Sequence, residues 1–130
     1  MSATVRVVVA EDDVLMREGI ARLLAEGGFE VVAQAGDAEE LLRKGLAHRP
    51  DVVIADVQMS VMGGLDLLAT MRIRGYDVPF IFITAFPDEG VRTRALTAGA
   101  ICFLAKPFAA PALIMCLDTA LKGHRGGPGT

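Results

Sequence analysis

The amino-acid sequence predicts an α/β fold of the (βα)₅ kind, in which five β-strands alternate with five helices. Short apolar runs rich in β-branched residues recur along the chain. The segments between these runs carry apolar residues at helical spacing and often end at glycine. The length of 130 residues and the hydrophobic fraction of 52% fit one well-filled domain. Such alternation indicates a parallel sheet with helices on both faces and right-handed crossovers.

The five apolar runs are the predicted strands. They are bounded by turn residues, and Pro50 and Pro79 precede the third and fourth runs. The predicted strands cover residues 5–10, 29–35, 51–55, 80–84 and 101–105. We expect the strand order 2-1-3-4-5 by analogy with flavodoxin-like doubly wound sheets.

The first helix is predicted over residues 14–26, because apolar residues recur there at helical spacing before the pair Gly27-Gly28. The second begins at Asp37, with Glu40 as a capping-box residue. The remaining helices are predicted from residue 65 to the glycine at 75, over 88–98 and over 110–121. We therefore expect one domain over residues 1–122 and a flexible C-terminal tail over 123–130, which has linker composition.

Composition argues against several classes of function. The net charge is −3 and no block of Lys and Arg is present, so we expect no direct binding of nucleic acid by this chain. No apolar run is long enough to span a bilayer, and the first residues do not resemble a signal peptide. These features predict a cytoplasmic protein without membrane contact. Cys102 and Cys116 stand in apolar contexts and are interpreted as buried, inert thiols.

Polar residues follow or end four of the five predicted strands. Because the carboxyl ends of parallel strands share one edge of a sheet, these residues are expected to meet there. They are Glu11, Asp12 and Asp13 after strand one, Asp56 after strand three, Thr84 ending strand four and Lys106 after strand five. Each alone has a plainer interpretation, as a helix cap, a loop residue or a solvated turn residue. The arrival of all of them at one edge favours a functional site.

The residue types at this edge suit phosphoryl chemistry. Clustered carboxylates repel one another, so they must hold protons or bind a cation. Oxygen ligands favour Mg²⁺, which would neutralise an incoming phosphoryl group. The carboxylate of Asp56 is a competent nucleophile for an aspartyl-phosphate, while Lys106 offers positive charge and Thr84 a hydroxyl donor.

Four motifs in this order resemble the receiver domains of two-component response regulators, and the resemblance covers residues 5–121. The motifs read VVVAEDDVLMR over 7–17, PDVVIADVQM over 50–59, FITA over 82–85 and FLAKPF over 103–108. The fourth-strand and fifth-strand motifs look closest to the nitrogen-fixation-type regulators. The set is specific, whereas any single motif is weak.

The resemblance implies a site for Mg²⁺ and phosphate. Asp56 is then the phosphoacceptor, Asp12 the direct metal ligand and Glu11 a ligand acting largely through water. The backbone carbonyl of Gln58 completes the metal site. Asp13 occupies a variable family position and is better interpreted as a helix cap.

The resemblance also implies a switch. Lys106 contacts the phosphoryl oxygens, and the Lys106–Pro107 bond is cis. Thr84 moves toward the phosphoryl group while Phe103 turns inward, and small Ala85 leaves access to the acyl phosphate. The output face is the fourth helix, fifth strand and fifth helix, which also offers a surface for a homodimer. The partner is a sensor histidine kinase, and the protein is a phosphoacceptor switch with self-catalysed phosphotransfer and dephosphorylation rather than an enzyme.

Two residues depart from the family pattern. Ser60 stands where proline is usual, and Gly63 stands where Asp or Asn often precedes Gly64. Two alternatives stay open at this point: a protein-binding module that works without phosphorylation, and a phosphatase with an aspartyl nucleophile. Phosphatases of the haloacid-dehalogenase type carry a general acid two residues beyond the nucleophile, where this chain has Gln58.

Overall fold

The computed structural model describes residues 4–59 and 63–125. All five strands form one parallel sheet in the order β2-β1-β3-β4-β5, which confirms the predicted fold and strand order. The strands are β1 (Arg6–Ala10), β2 (Glu30–Ala35), β3 (Val52–Asp56), β4 (Phe80–Thr84) and β5 (Cys102–Ala105). Asp56 is therefore the last residue of its strand rather than the first residue after it.

Five helical segments follow the five strands. They are α1 (Val14–Glu26), α2 (Ala38–Glu40), α3 (Gly64–Ile73), α4 (Glu89–Thr97) and α5 (Ala110–Arg125). The chain continues from α2 as a π-helical segment, Leu41–Gly45, and a 3₁₀ turn, Leu46–His48. Helix α5 ends four residues later than predicted, so residues 123–125 are helical. Residues 126–130 lie outside the described residues, and the flexible tail stays a prediction.

Side-chain caps begin three of the helices close to the site edge of the sheet. Asp13, Asp37 and Asp88 each accept a hydrogen bond from a backbone N–H three residues further on, at 2.8–3.0 Å. This confirms the predicted caps at Asp13 and Asp37. Glu40 accepts from the N–H of Gly36 at 2.6 Å, one residue before the position that a standard capping box uses.

Two apolar layers cover the sheet, one on each face. Strands β3 and β4 are buried along their whole length, as expected for central parallel strands. Helices α1 and α5 pack on one face, contributing Ile20, Leu24, Leu113 and Leu117. Helices α2, α3 and α4 pack on the other face, contributing Ala38, Leu67, Leu68, Met71, Val91 and Ala95. Across the described residues, no helix is both long and apolar enough to span a membrane.

Both cysteines are free thiols in the apolar layer between α5 and the sheet, Cys116 on the helix and Cys102 on β5. Cys116 is buried as predicted, whereas Cys102 on the edge strand β5 is only half-buried. Burial raises the pKa of the Cys116 thiol to about 12, and a hydrogen bond to Cys102 adds to the shift. At neutral pH Cys116 is therefore almost entirely protonated and unreactive.

Candidate functional site

Four of the residues predicted for the site meet at the carboxyl edge of the sheet. They are Glu11 and Asp12 after β1, Asp56 at the end of β3, and Lys106 after β5. The reversal of strand order between β1 and β3 places the acidic residues next to each other, because β1 and β3 are hydrogen-bonded neighbours. Lys106 reaches them from the far side of β4.

Asp56 presents a buried carboxylate whose two oxygens are held differently. Its relative exposure is 5%, and the next residue, Val57, continues the ladder to β4 by donating to the carbonyl of Ile83. Oδ1 accepts from the N–H of Gln58 at 2.8 Å, and Oδ2 accepts from Nζ of Lys106 at 2.8 Å. The strand end and these two donors fix the direction of the carboxylate.

Lys106 is held at both ends. Its backbone N–H donates to the carbonyl of Thr84 at 2.7 Å, which extends the β4–β5 ladder by one bond. Its Nζ donates to Glu11 Oε1 at 2.5 Å as well as to Asp56 Oδ2, and the side chain is only 11% exposed. Burial lowers the pKa of the ammonium, but the hydrogen bonds and charges of Asp56 and Glu11 outweigh that effect and raise the pKa overall. Lys106 therefore stays positively charged in this site.

Glu11 is completely buried and has hydrogen bonds on every polar group. Its N–H donates to the carbonyl of Ala35 at 2.9 Å, and its carbonyl accepts from Arg17 Nη1 at 2.7 Å. Oε2 accepts from the N–H of Asp13 at 3.0 Å, while Oε1 accepts from Lys106. Burial raises the pKa of Glu11, and the hydrogen bonds from Lys106 and Asp13 only partly offset this.

Three carboxylates at this edge have the geometry of a cation site. One oxygen from each of Glu11, Asp12 and Asp56 lies within 4.8 Å of the others. Asp12 is exposed, so the cluster opens to water on one side. An all-oxygen donor set with solvent access fits Mg²⁺, which binds through one or two carboxylates and keeps several waters. The N–H of Gln58 faces the site, and its carbonyl stays a predicted ligand.

The predicted switch residues occupy the neighbouring strands. Thr84 is fully buried, and its Oγ1 accepts from the N–H of Phe86 at 3.1 Å. Phe103 is half-buried and borders a surface cavity of about 300 Å³ together with Pro87 and Arg92. The peptide bond between Lys106 and Pro107 is cis, as predicted. The predicted movements of Thr84 and Phe103 stay predictions.

The connection from β3 to α3 packs closely on the strand end. Gly63 is the N-cap of α3 and offers no side-chain hydrogen bond, which an Asp or Asn would supply. Gly64 donates its N–H to the carbonyl of Val57 at 2.8 Å and lies directly against the Asp56 carbonyl. Ser60, the other departure from the family pattern, lies outside the described residues.

Sequence reasoning missed two features of the site. Lys106 was assigned to phosphoryl oxygens, but it also joins the two buried carboxylates of Glu11 and Asp56. Arg17 received no role, although it ends the first motif and contacts the Glu11 carbonyl. The arginine six residues beyond Glu11, one turn into α1, was the available signal. Side chains in helices point back toward the helix N-terminus, and that direction leads to the site.

Comparisons with known proteins agree with this geometry. The family model described as the response regulator receiver domain matches residues 7–118. The transcriptional regulatory protein PdtaR of Mycobacterium tuberculosis is 38% identical over 123 residues, covering 92% of this chain and 58% of PdtaR. A protein-glutamate methylesterase/protein-glutamine glutaminase of Haloarcula marismortui is 44% identical over 110 residues, which are 82% of this chain and 29% of that protein.

Solved structures give the same result. The signal receiver domain of the response regulator NarL from Mycobacterium tuberculosis has a TM-score of 0.88 and 32% sequence identity. The match covers 94% of this chain and 99% of that chain. By contrast, this chain spans only 58% of PdtaR and 29% of the methylesterase. The likeness is therefore to the receiver portion of these longer relatives.

Proposed function

Since this chain belongs to the receiver domain family of response regulators, we propose that it accepts a phosphoryl group on Asp56 and thereby switches a partner surface. The observation that carries the proposal is the setting of the Asp56 carboxylate. It is buried at the end of β3, hydrogen-bonded to Lys106 and grouped with two further carboxylates. Receiver domains are signalling modules, and the proposed donor is the phosphohistidine of a sensor histidine kinase.

The chain's own residues account for the transfer. An oxygen of the Asp56 carboxylate attacks the phosphorus, so an O–P bond forms while the N–P bond to the donor imidazole breaks. The bonding electrons and a proton go to the imidazole nitrogen. Lys106, which now contacts Asp56 Oδ2 at 2.8 Å, is placed to hold a phosphoryl oxygen instead. Attack of water on the phosphorus later releases inorganic phosphate and restores the carboxylate.

The acidic cluster supports a requirement for Mg²⁺. When bound, Mg²⁺ supplies the positive charge that lets an anionic phosphoryl group approach an anionic nucleophile. We propose that Asp12 and Asp56 hold it directly, that Glu11 acts through water, and that the Gln58 carbonyl completes the set. The indirect role of Glu11 rests on the family resemblance, because Glu11 and Asp56 both already accept hydrogen bonds on their two carboxylate oxygens.

The switch is proposed to pass from Thr84 to Phe103. At present Thr84 Oγ1 accepts from the N–H of Phe86, and a phosphoryl oxygen on Asp56 offers its hydroxyl proton a charged acceptor. Movement of Thr84 toward that oxygen frees space behind it for the half-buried ring of Phe103. Such a two-state change alters the surface formed by α4, β5 and α5, which is the proposed output face and homodimer surface. We expect no direct contact with nucleic acid from this chain.

Acetyl phosphate tests the proposal, read by intact mass spectrometry. In Mg²⁺ buffer the wild-type chain is expected to gain one phosphoryl group, and EDTA or Asp56→Ala is expected to abolish the gain. The matched control is Asp77→Ala, which removes an exposed aspartate at the opposite edge of the sheet and should phosphorylate normally. A wild-type chain that gains no phosphoryl mass would falsify the proposal and leave the phosphorylation-independent binding module. Sustained multiple turnover of p-nitrophenyl phosphate would instead indicate a phosphatase.

A further inference from the structure

Arg17 connects two loops at the site edge of the sheet. It lies in the first turns of α1, is half-buried, and donates from Nη1 to the backbone carbonyl of Glu11 at 2.7 Å. On its other side the same nitrogen lies against Gly36, where an added Cβ would be 3.3 Å away. The guanidinium therefore fills the space between the β1–α1 and β2–α2 connections.

The Glu11 carbonyl is part of the peptide bond that leads into Asp12. The N–H of Glu11 is already fixed by the carbonyl of Ala35 on β2. With the carbonyl fixed by Arg17 as well, the two backbone rotations of Glu11 are restricted, and the orientation of the peptide plane that leads into Asp12 is set. Asp12 is exposed, so burial does not hold its side chain in place.

The far side of Arg17 is also well defined. Glu40 lies beside Gly36 and accepts from its N–H at 2.6 Å, and it pairs with Lys44 at 2.8 Å. The pKa of Glu40 is lowered chiefly by the Gly36 hydrogen bond, then by Lys44, and further by the charge of Arg17. The guanidinium of Arg17 thus interacts with the charge of Glu40, which is not part of the acidic cluster.

We propose that Arg17 is a positioning residue of the metal site: by holding the Glu11 carbonyl, it directs the Asp12 carboxylate toward Asp56. The inference rests on the proposed function in one respect, namely that a divalent cation binds this cluster. Arg17 contacts neither the cation nor the phosphoryl group in this arrangement. Its effect passes through the peptide bond between Glu11 and Asp12.

The direction in which loss of Arg17 changes Mg²⁺ affinity distinguishes a positioning role from a purely electrostatic one. A cation beside an acidic cluster repels Mg²⁺, so removing the charge of Arg17 should by itself tighten Mg²⁺ binding. Loss of a positioning contact should weaken it, and removal of groups that orient metal ligands commonly costs about tenfold or more in metal affinity. The two explanations therefore predict opposite shifts of the dissociation constant.

Calorimetric titration of the phosphate-free protein with MgCl₂ provides the measurement. Arg17→Met is expected to raise the Mg²⁺ dissociation constant by about tenfold. The control Arg22→Met removes an exposed charge from the same helix and should leave the constant unchanged or slightly lower. An unchanged or lower constant for Arg17→Met overturns the inference alone. If wild type binds no Mg²⁺, the inference and the metal part of the proposed function both fail.

If circular dichroism shows that Arg17→Met is not folded, a second pair of variants tests the positioning role of Arg17. Gly36→Ala keeps every charge, but its methyl group pushes the guanidinium by a few tenths of an ångström. It should weaken Mg²⁺ binding by a smaller factor than Arg17→Met, and unaltered binding overturns the inference. Gly19→Ala is its control, because an added Cβ there has no neighbour within 4 Å.

Discussion

A methyl group added at Gly64 is expected to destabilise the domain and to disturb Asp56, the proposed phosphoacceptor, at the same time. A Cβ there would lie 2.6 Å from the Asp56 carbonyl oxygen and 2.8 Å from Cε1 of Phe82. Real Cβ atoms essentially never approach within 3.0 Å, so the carbonyl must retreat by more than the 0.4 Å between 2.6 Å and 3.0 Å. Phe82 is fully buried, so its ring has no free space to move into.

The expected cost of Gly64→Ala is about 2 kcal/mol. Overpacking in a well-packed core costs about 1–3 kcal/mol. The upper half of this range applies to Gly64→Ala, because one of the obstructing groups is backbone. The better helix propensity of alanine offsets up to about 1 kcal/mol of this cost. For a domain of this size, we expect the melting temperature to fall by about 6–10 °C.

Urea unfolding followed by circular dichroism measures this cost in Mg²⁺-free buffer. Gly64→Ala should lower the transition midpoint at an unchanged slope, and its phosphorylation by acetyl phosphate should be slower than that of wild type. Gly19→Ala is the control, and it should raise the free energy of unfolding by about 0.5–1 kcal/mol. Gly19 lies in the middle of α1, and an added Cβ there meets no atom within 4 Å. The reasoning is refuted if Gly64→Ala unfolds at the wild-type midpoint and phosphorylates at the wild-type rate.

Three further changes have defined outcomes. Lys106→Met should lower the free energy of unfolding at pH 7 by about 3 kcal/mol, because it leaves two buried carboxylates without their cation. Added Mg²⁺ should restore part of that loss, and urea titrations with and without MgCl₂ check this. Glu40→Gln should cost about 0.5 kcal/mol at pH 7. Because the pKa of Glu40 is lowered in the folded state, its contribution to stability is present above the ordinary value of 4.5 and is lost as the pH falls through the folded pKa. The urea midpoints of mutant and wild type should therefore converge at low pH. Iodoacetamide at pH 8 should alkylate native Cys102 well before Cys116, whose pKa of about 12 leaves almost no thiolate, and equal rates by mass spectrometry contradict this.

Features encoded over a few residues were predictable from the sequence. The bounds of α1 and β4 agree with the prediction, because apolar spacing and flanking glycine or proline define them locally. The caps at Asp13 and Asp37 were predictable for the same reason, since the capping carboxylate and the backbone N–H that donates to it lie three residues apart. The gathering of acidic residues at one edge followed from the parallel topology alone.

Other features depend on contacts that no local pattern records. The π-helical segment Leu41–Gly45 has helical composition and lies against β2 and β1, and the residue types do not record whether the backbone bonds over four or five residues. To predict that Lys106 bridges Glu11 and Asp56, one must know where β1, β3 and β5 end relative to one another along the sheet. Strand ends predicted from sequence to within two residues are not precise enough for that. The contact from Arg17 to the Glu11 carbonyl joins a side chain to backbone, so residue types alone do not reveal it.

The bridge made by Lys106 also bears on how the protein is made. Its two acidic partners lie 95 and 50 residues earlier in the chain. During synthesis, β1 and β3 leave the ribosome before β5. Contacts between residues far apart in the chain form late in folding, so contacts to β5 come last. Until β5 joins the sheet, Glu11 and Asp56 lack the ammonium that pairs with both of them in the folded domain. The acidic edge therefore reaches its paired arrangement only when the last strand is in place.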